Sequence, residues 1–170
     1  VKNFEDRDKR AAAIMRDSAR EAGLERIIYL GGLGDTDKDL GEHLKSRMEV
    51  GQILRDGPVP LTWLRAAMII GSGSASFEIL RYLVDRLPLM ITPAWVKSLC
   101  QPIAVTNVLE YLVGCLEQPA TSGRTLDIGG PDILSYRELF DIYARAAGLR
   151  PRIIIPVPVL TPKLSSYWIQ

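Results

Sequence analysis

Apolar and polar positions recur along this chain in two rhythms, one suited to helices and one to buried strands. Over residues 5–22, Ala11, Ile14, Met15, Ser18, Ala19 and Ala22 return at steps of three and four. That spacing predicts an amphipathic helix, and Gly23 suits the left-handed residue that closes one. Residues 26–30 are short and apolar and run into Gly31-Gly32-Leu33-Gly34, as a buried parallel strand with a glycine loop would. A second helix is expected from Asp39, with Glu42 three residues on as a capping box. Its stripe is Leu40, Leu44, Met48 and Ile53 or Leu54, and Gly57-Pro58 stops it.

The same alternation continues to the end. Residues 61–65 read as a strand, 66–73 as a loop with Gly71 and Gly73, and 76–87 as a helix stopped by Pro88. Residues 89–91 read as a short strand cut off by Pro93. Residues 101–105 are extended, and Thr106 or Asn107 caps a helix reaching Glu117. Residues 124–128 form a strand ending in Gly129-Gly130-Pro131. Ser135 and Glu138 make another capping box, for a helix that runs to Ala147 under a Gly148 cap. Residues 152–157 are a last strand, and Pro156, Pro158 and Pro162 point to an edge or an extended tail. Helices alternating with strands imply parallel crossovers, hence an α/β class with a doubly wound parallel sheet in one domain. Both ends read as truncated. The chain opens at Val1 without Met and closes on Tyr167-Trp168-Ile169-Gln170, so further chain is expected to pack there.

Composition changes this picture little. Apolar residues are 47% and charged residues 24%, ordinary for a globular domain. Twenty-one basic against 20 acidic residues leave a net charge of +1, so nucleic acid is not an expected partner. Cys100, Cys115 and the single histidine are far apart, poor material for a metal site. Two buried, reduced thiols are expected. No apolar run approaches the roughly 20 residues that span a bilayer, and the cytoplasm is the default location.

Taken in order, the segments resemble a known family. Pro102-Ile103-Ala104-Val105-Thr106-Asn107-Val108 resembles the P-I-x-V-x-D-V segment of extended and atypical short-chain dehydrogenases/reductases, with Asn107 in place of Asp. Leu126-Asp127-Ile128-Gly129-Gly130-Pro131, then Leu134-Ser135-Tyr136-Arg137-Glu138-Leu139, resembles the segment N-I-G-G followed by T-Y-R-E-L of the epimerase-like and NmrA-like branches. The resemblance implies the C-terminal part of a Rossmann-like domain that binds NAD or NADP. It also implies a missing N-terminal stretch with the G-x-x-G-x-x-G turn that meets the pyrophosphate. Gly31-Gly32-Leu33-Gly34 does not fit that turn and would lie instead beside the nicotinamide.

The family's hydride transfer uses a Tyr in Y-x-x-x-K as acid or base, a Lys that lowers its pKa, and a Ser at the preceding strand end. Here the helix after the glycine loop has His43 and Arg47 at that four-residue step, and the strand end has Gly31-Gly32. The resemblance implies His43 as a substitute acid/base and Arg47 as a ribose anchor. A solvated His43 and Arg47 are the plainer expectation. Gly31, Gly32, Arg47, Arg65, Ala66 and Ala67 are the expected cofactor contacts. Gly71-Ser72-Gly73-Ser74 is read equally as an anion-binding or a helix-capping loop. Trp95 and Tyr136 are read either as pocket lining or, the commoner place for large aromatics, as core. Two functions stand open: an NAD(P)-dependent oxidoreductase or epimerase-like enzyme with an unknown small-molecule substrate and a non-standard site, and a non-catalytic dinucleotide-binding sensor or accessory subunit. Loss of half a sheet would expose apolar surface, so a homodimer is also expected.

Overall fold

A computed structural model describes residues 2–33 and 42–157, with side chains from residues 5–33 and 44–157. Its elements, in chain order, are α1 (Lys2–Glu21), β1 (Ile27–Gly32), α2 (Glu42–Arg55), β2 (Leu61–Ala66), β3 (Ile69–Ile70), α3 (Ala75–Arg86), β4 (Leu89–Pro93), β5 (Leu99–Cys100), β6 (Ile103–Ala104), α4 (Val105–Glu117), β7 (Thr125–Ile128), β8 (Leu134–Ser135), α5 (Tyr136–Ala146) and β9 (Ile153–Val157). Short 3-10 turns occupy Ala94–Lys97 and Pro119–Thr121. The fold is α/β with parallel pairing, as the alternating rhythm predicts. The chain divides into two compact units, residues 1–67 with 105–129, and residues 68–104 with 130–170.

In the first unit a three-stranded sheet has the order β1-β2-β7, with both pairings parallel. Gly23 takes φ +64 and closes α1 so that Leu24 N–H reaches Ala19 O at 3.0 Å. Of the expected α1 stripe only Ala19 is buried. Ala12 and Ala19 are buried, while Ile14 and Met15 remain 60% and 49% exposed. Small residues let α1 lie close to α2, where Ser46 Oγ donates to Asp8 at 3.3 Å and Lys9 pairs with Glu49 at 3.0 Å. Long side chains on that face would hold the helices apart. The core gathers Ala19, Ile27, Leu54, Val59, Leu61 and Trp63.

Three further expectations need correction here. The strand runs through Gly31 and Gly32, so these are sheet residues rather than loop. The helix α4 begins at Val105, which puts Asn107 inside the first turn, where it donates to Glu110 at 3.2 Å instead of capping. Within the expected loop 66–73, Ile69 and Ile70 pair with Ile103 and Ala104 as β3 and β6 of the second unit. The expected Asp39 cap and Leu40 lie outside the described residues.

The second unit is built on parallel β4 and β9, with β5 and β8 antiparallel. Pro93 and Pro156 sit at or near the ends of that pair, where a missing N–H costs least. The Ser135 capping box is present in full, and Gly148 at φ +67 follows α5. Leu80, Val84, Val96, Leu139, Phe140 and Ile154 lie in its core.

Candidate functional site

Parallel register gathers the expected contact residues at one end of the first unit's sheet. Gly31 pairs with Arg65 and Arg65 with Asp127; in the next row Gly32 pairs with Ala66 and Ala66 with Ile128. These are the carboxyl ends of three parallel strands, the end at which open α/β sheets receive ligands. Ala67 follows, exposed. Four of the expected residues, Gly31, Gly32, Arg65 and Ala66, are therefore neighbours.

Arg65 is not presented as an isolated cation. Its Nε donates to Asp127 Oδ1 at 2.6 Å and its Nη2 to Oδ2 at 3.0 Å, a bidentate fork. Asp127, half exposed, is a residue of this site that sequence reasoning missed. The signal for it lay in register, since only strand pairing sets residues 65 and 127 side by side.

Gly31 has a second role. An added Cβ there would lie 2.6 Å from the Trp63 indole nitrogen, and one at Gly51 of α2 would also collide with the Trp63 ring. The indole is buried, and its N–H has no partner among the described residues. At Gly32 a Cβ would meet Leu44 at 2.5 Å. The two glycines thus let α2 and the Trp63 ring close on the strand end. Tyr29, also unforeseen, stands beside Trp63 with ring centroids 6.1 Å apart. Its hydroxyl donates to the Arg47 carbonyl at 3.1 Å. Burial pushes the Tyr29 phenol above its ordinary pKa, and the nearby Arg47 charge opposes this.

Arg47 lies on α2 with its side chain exposed. His43 belongs to the same helix, four residues earlier, but its side chain lies outside those described. In the second unit Gly73 takes φ +83, and Ser74 precedes α3 without a side-chain cap bond. Trp95 and Tyr136 line a pocket, the first of the two readings of them, and Tyr136 also packs against the second unit's buried cluster. Trp95 stays 45% exposed, edge-on to Tyr136 with centroids 5.3 Å apart. Cys115 is buried and Cys100 partly so, both free thiols. Among the described residues no cluster could hold a metal ion, and no helix is long and apolar enough to cross a membrane.

These parallel strands and crossovers make the chain Rossmann-like, the α/β class of the epimerases and reductases that superpose on it. A nucleoside-diphosphate-sugar epimerase from Staphylococcus aureus superposes with TM-score 0.70 at 18% identity, over 92% of this chain and 53% of that one. MoeE5 in complex with UDP-glucose and NAD gives TM-score 0.68 at 16% identity, over 88% and 56%. In sequence, the chain is 24% identical over 160 residues to the mitochondrial NADH dehydrogenase [ubiquinone] 1 alpha subcomplex subunit 9 of Arabidopsis thaliana, covering 92% of this chain and 40% of that subunit. The chain thus spans about half the length of these structures and less of the subunit. No family model matches it. At such identities the likeness to the solved structures is one of fold, and the fold expected from the ordered segments is present.

Proposed function

We propose that these residues are the strand-end part of a single, larger NAD(P)-binding Rossmann-like domain, and that its task is to hold the dinucleotide rather than to transfer hydride by the Tyr–Lys route. The packing of Trp63 against Gly31 carries this reading. The position where the resemblance calls for a serine hydroxyl has a glycine, and the indole fills the space beside it. None of Tyr29, Tyr82, Tyr111, Tyr136 and Tyr143 is followed four residues later by lysine. The row Gly31, Gly32, Arg65, Ala66 and Ala67 remains suited to the nicotinamide end, because glycine lets backbone approach a ligand closely. When bound, NAD(P) would supply hydride chemistry; the chain's own part is to orient it, with Arg47 as a candidate donor to ribose hydroxyls. Likeness to a subunit of an NADH dehydrogenase supports a role within a larger assembly.

The test is a thermal-shift titration of the longest natural protein containing these residues, with NAD⁺, NADH, NADP⁺ and NADPH. A ligand at about 100 times its Kd stabilises the folded state by about 2.7 kcal/mol, a readily measured rise in Tm. A rise with one cofactor pair is expected. No rise with any of the four rejects the reading. The 170-residue chain alone, which has no G-x-x-G-x-x-G turn, is expected to show no saturable binding at micromolar dinucleotide in isothermal titration.

The second reading is an NAD(P)-dependent oxidoreductase or epimerase-like enzyme. One observation favours it: His43 and Arg47 sit one turn apart on α2, the spacing an acid/base and its cationic neighbour need. Turnover of a nucleotide-linked substrate that is lost in His43→Ala would establish it, and turnover left intact would remove His43 from the chemistry. Sedimentation of the same protein checks the expected homodimer.

A further inference from the structure

We propose that the second unit carries a separate binding site for a neutral, largely apolar, ring-bearing small molecule, in a cleft walled by α3, the turn Ala94–Lys97 and the start of α5. The cleft has a volume of about 420 Å³. That falls within the few-hundred-Å³ range of small-molecule sites. It lies wholly within the second unit and uses no residue of the strand-end row, so it stands whether or not the dinucleotide reading does.

The lining sets the ligand's chemistry. Leu80 and Phe140 are buried and give an apolar floor, while Ile79 and Trp95 stand half-exposed at the mouth. Ser76, Ser98 and Tyr136 bring hydroxyls to it, and among the described residues no charged side chain lines it. A diphosphate or carboxylate entering this space would lose hydration with no cation to replace it, so an anionic ligand is disfavoured. A neutral ring compound would instead cover apolar wall and find one or two hydroxyl partners. Trp95 makes rings the fitting class. It sits next to the fully buried Val96, yet keeps 45% of its own surface open beside the edge-on Tyr136 ring. Aromatic surfaces in that arrangement add attraction beyond area alone. The rim is fixed by backbone: Ser98 N–H donates to Trp95 O at 2.8 Å, and Tyr136 N–H to Ser98 O at 3.3 Å. Burial also raises the Tyr136 phenol's pKa.

The probe is N-phenylnaphthylamine, a neutral two-ring-system fluorophore that brightens in apolar surroundings, titrated into the whole chain. Saturable one-to-one binding is expected, without any dinucleotide present. Ile79→Lys places a charge at the mouth on an exposed helical position, and Trp95→Ala removes the ring. Each is expected to weaken the probe about tenfold or more with Tm unchanged. The sulfonated analogue, anilinonaphthalene sulfonate, should bind more weakly than the neutral probe. Three results overturn the proposal: no saturable binding, binding that neither substitution touches, or equal affinity for the charged analogue. Sedimentation of the same samples covers the remaining alternative. A dimer that both substitutions dissociate would make a second copy the occupant, and the proposal would fail.

Discussion

At the scale of single residues, Trp63 decides how close α2 comes to the sheet. Its ring needs hydrogen rather than a methyl group at both Gly31 and Gly51. A glycine inside a strand costs about 0.5–1 kcal/mol relative to a residue with a side chain, so Gly31→Ser would gain that much if space allowed. The 2.6 Å approach of the new Cβ to the indole says it does not. Overpacking of this kind costs about 1–3 kcal/mol, which exceeds the gain. Gly31→Ser is therefore expected to lower stability in urea denaturation. Adding Trp63→Phe should recover much of the loss, because the smaller ring frees the space and carries no unpaired N–H. If the two losses simply add, the contact is not the cause. Gly31 and Gly32 were visible in the sequence as a pair, but what they make room for was not, since Trp63 lies more than 30 residues away. Tyr29 escaped notice for the same reason. Its folded-state pKa is raised, so the interaction favouring the neutral phenol is fully present below the ordinary tyrosine pKa and fades as pH rises through the folded value. Tyrosine absorbance titration should show a late-ionising group that Tyr29→Phe removes; an unchanged curve would mean the phenol is not desolvated.

At the scale of elements, local rules succeeded and facing failed. The Ser135 capping box was legible because its partners are three residues apart. Ser135 N–H and Oγ both donate to Glu138 Oε2 at 2.7 Å, and Glu138 N–H returns a bond to Ser135 Oγ at 3.3 Å. Ser135→Ala is expected to destabilise α5 by about 1 kcal/mol, read from the urea midpoint. These bonds hold the Glu138 carboxyl below its ordinary pKa. The stability they add is thus present above the unfolded carboxylate pKa and is lost as pH falls through the folded one. Acid titration of Glu138→Gln, which removes the carboxyl that both the Ser135 N–H and hydroxyl bind, should show a flatter decline than the parent chain, and an equal slope would assign the decline to other groups. The helix α1, by contrast, was placed correctly along the chain, but of its expected stripe only Ala19 is buried. Periodicity finds large apolar residues, whereas close helix packing selects small ones, here Ala12 and Ala19. Asn107 misled in another way: its residue type suits a cap, yet β6 runs directly into α4 at Val105 and leaves no non-helical position for it.

At the scale of the whole chain, alternation of helix and strand gave the class, but not the division of the core. The parallel row that brings residues 31, 65 and 127 together depends on pairing between distant segments, which no local pattern encodes. The two buried clusters share no residue: one centres on Leu54 and Trp63, the other on Val84 and Phe140. If each cluster holds its own unit, a cavity in one should loosen that unit first. Leu54→Ala removes about 2–5 kcal/mol and Phe140→Ala about 3–5 kcal/mol by lost burial and cavity formation. Hydrogen exchange of intact chains, read by peptide, should then show Leu54→Ala releasing residues 5–33, 44–67 and 105–129. Phe140→Ala should release residues 68–104 and 130–157. Protection lost evenly across both sets in either variant would mean one cooperative domain, and the separate cleft behind Trp95 would then have to be understood as part of the same folding unit as the strand-end row.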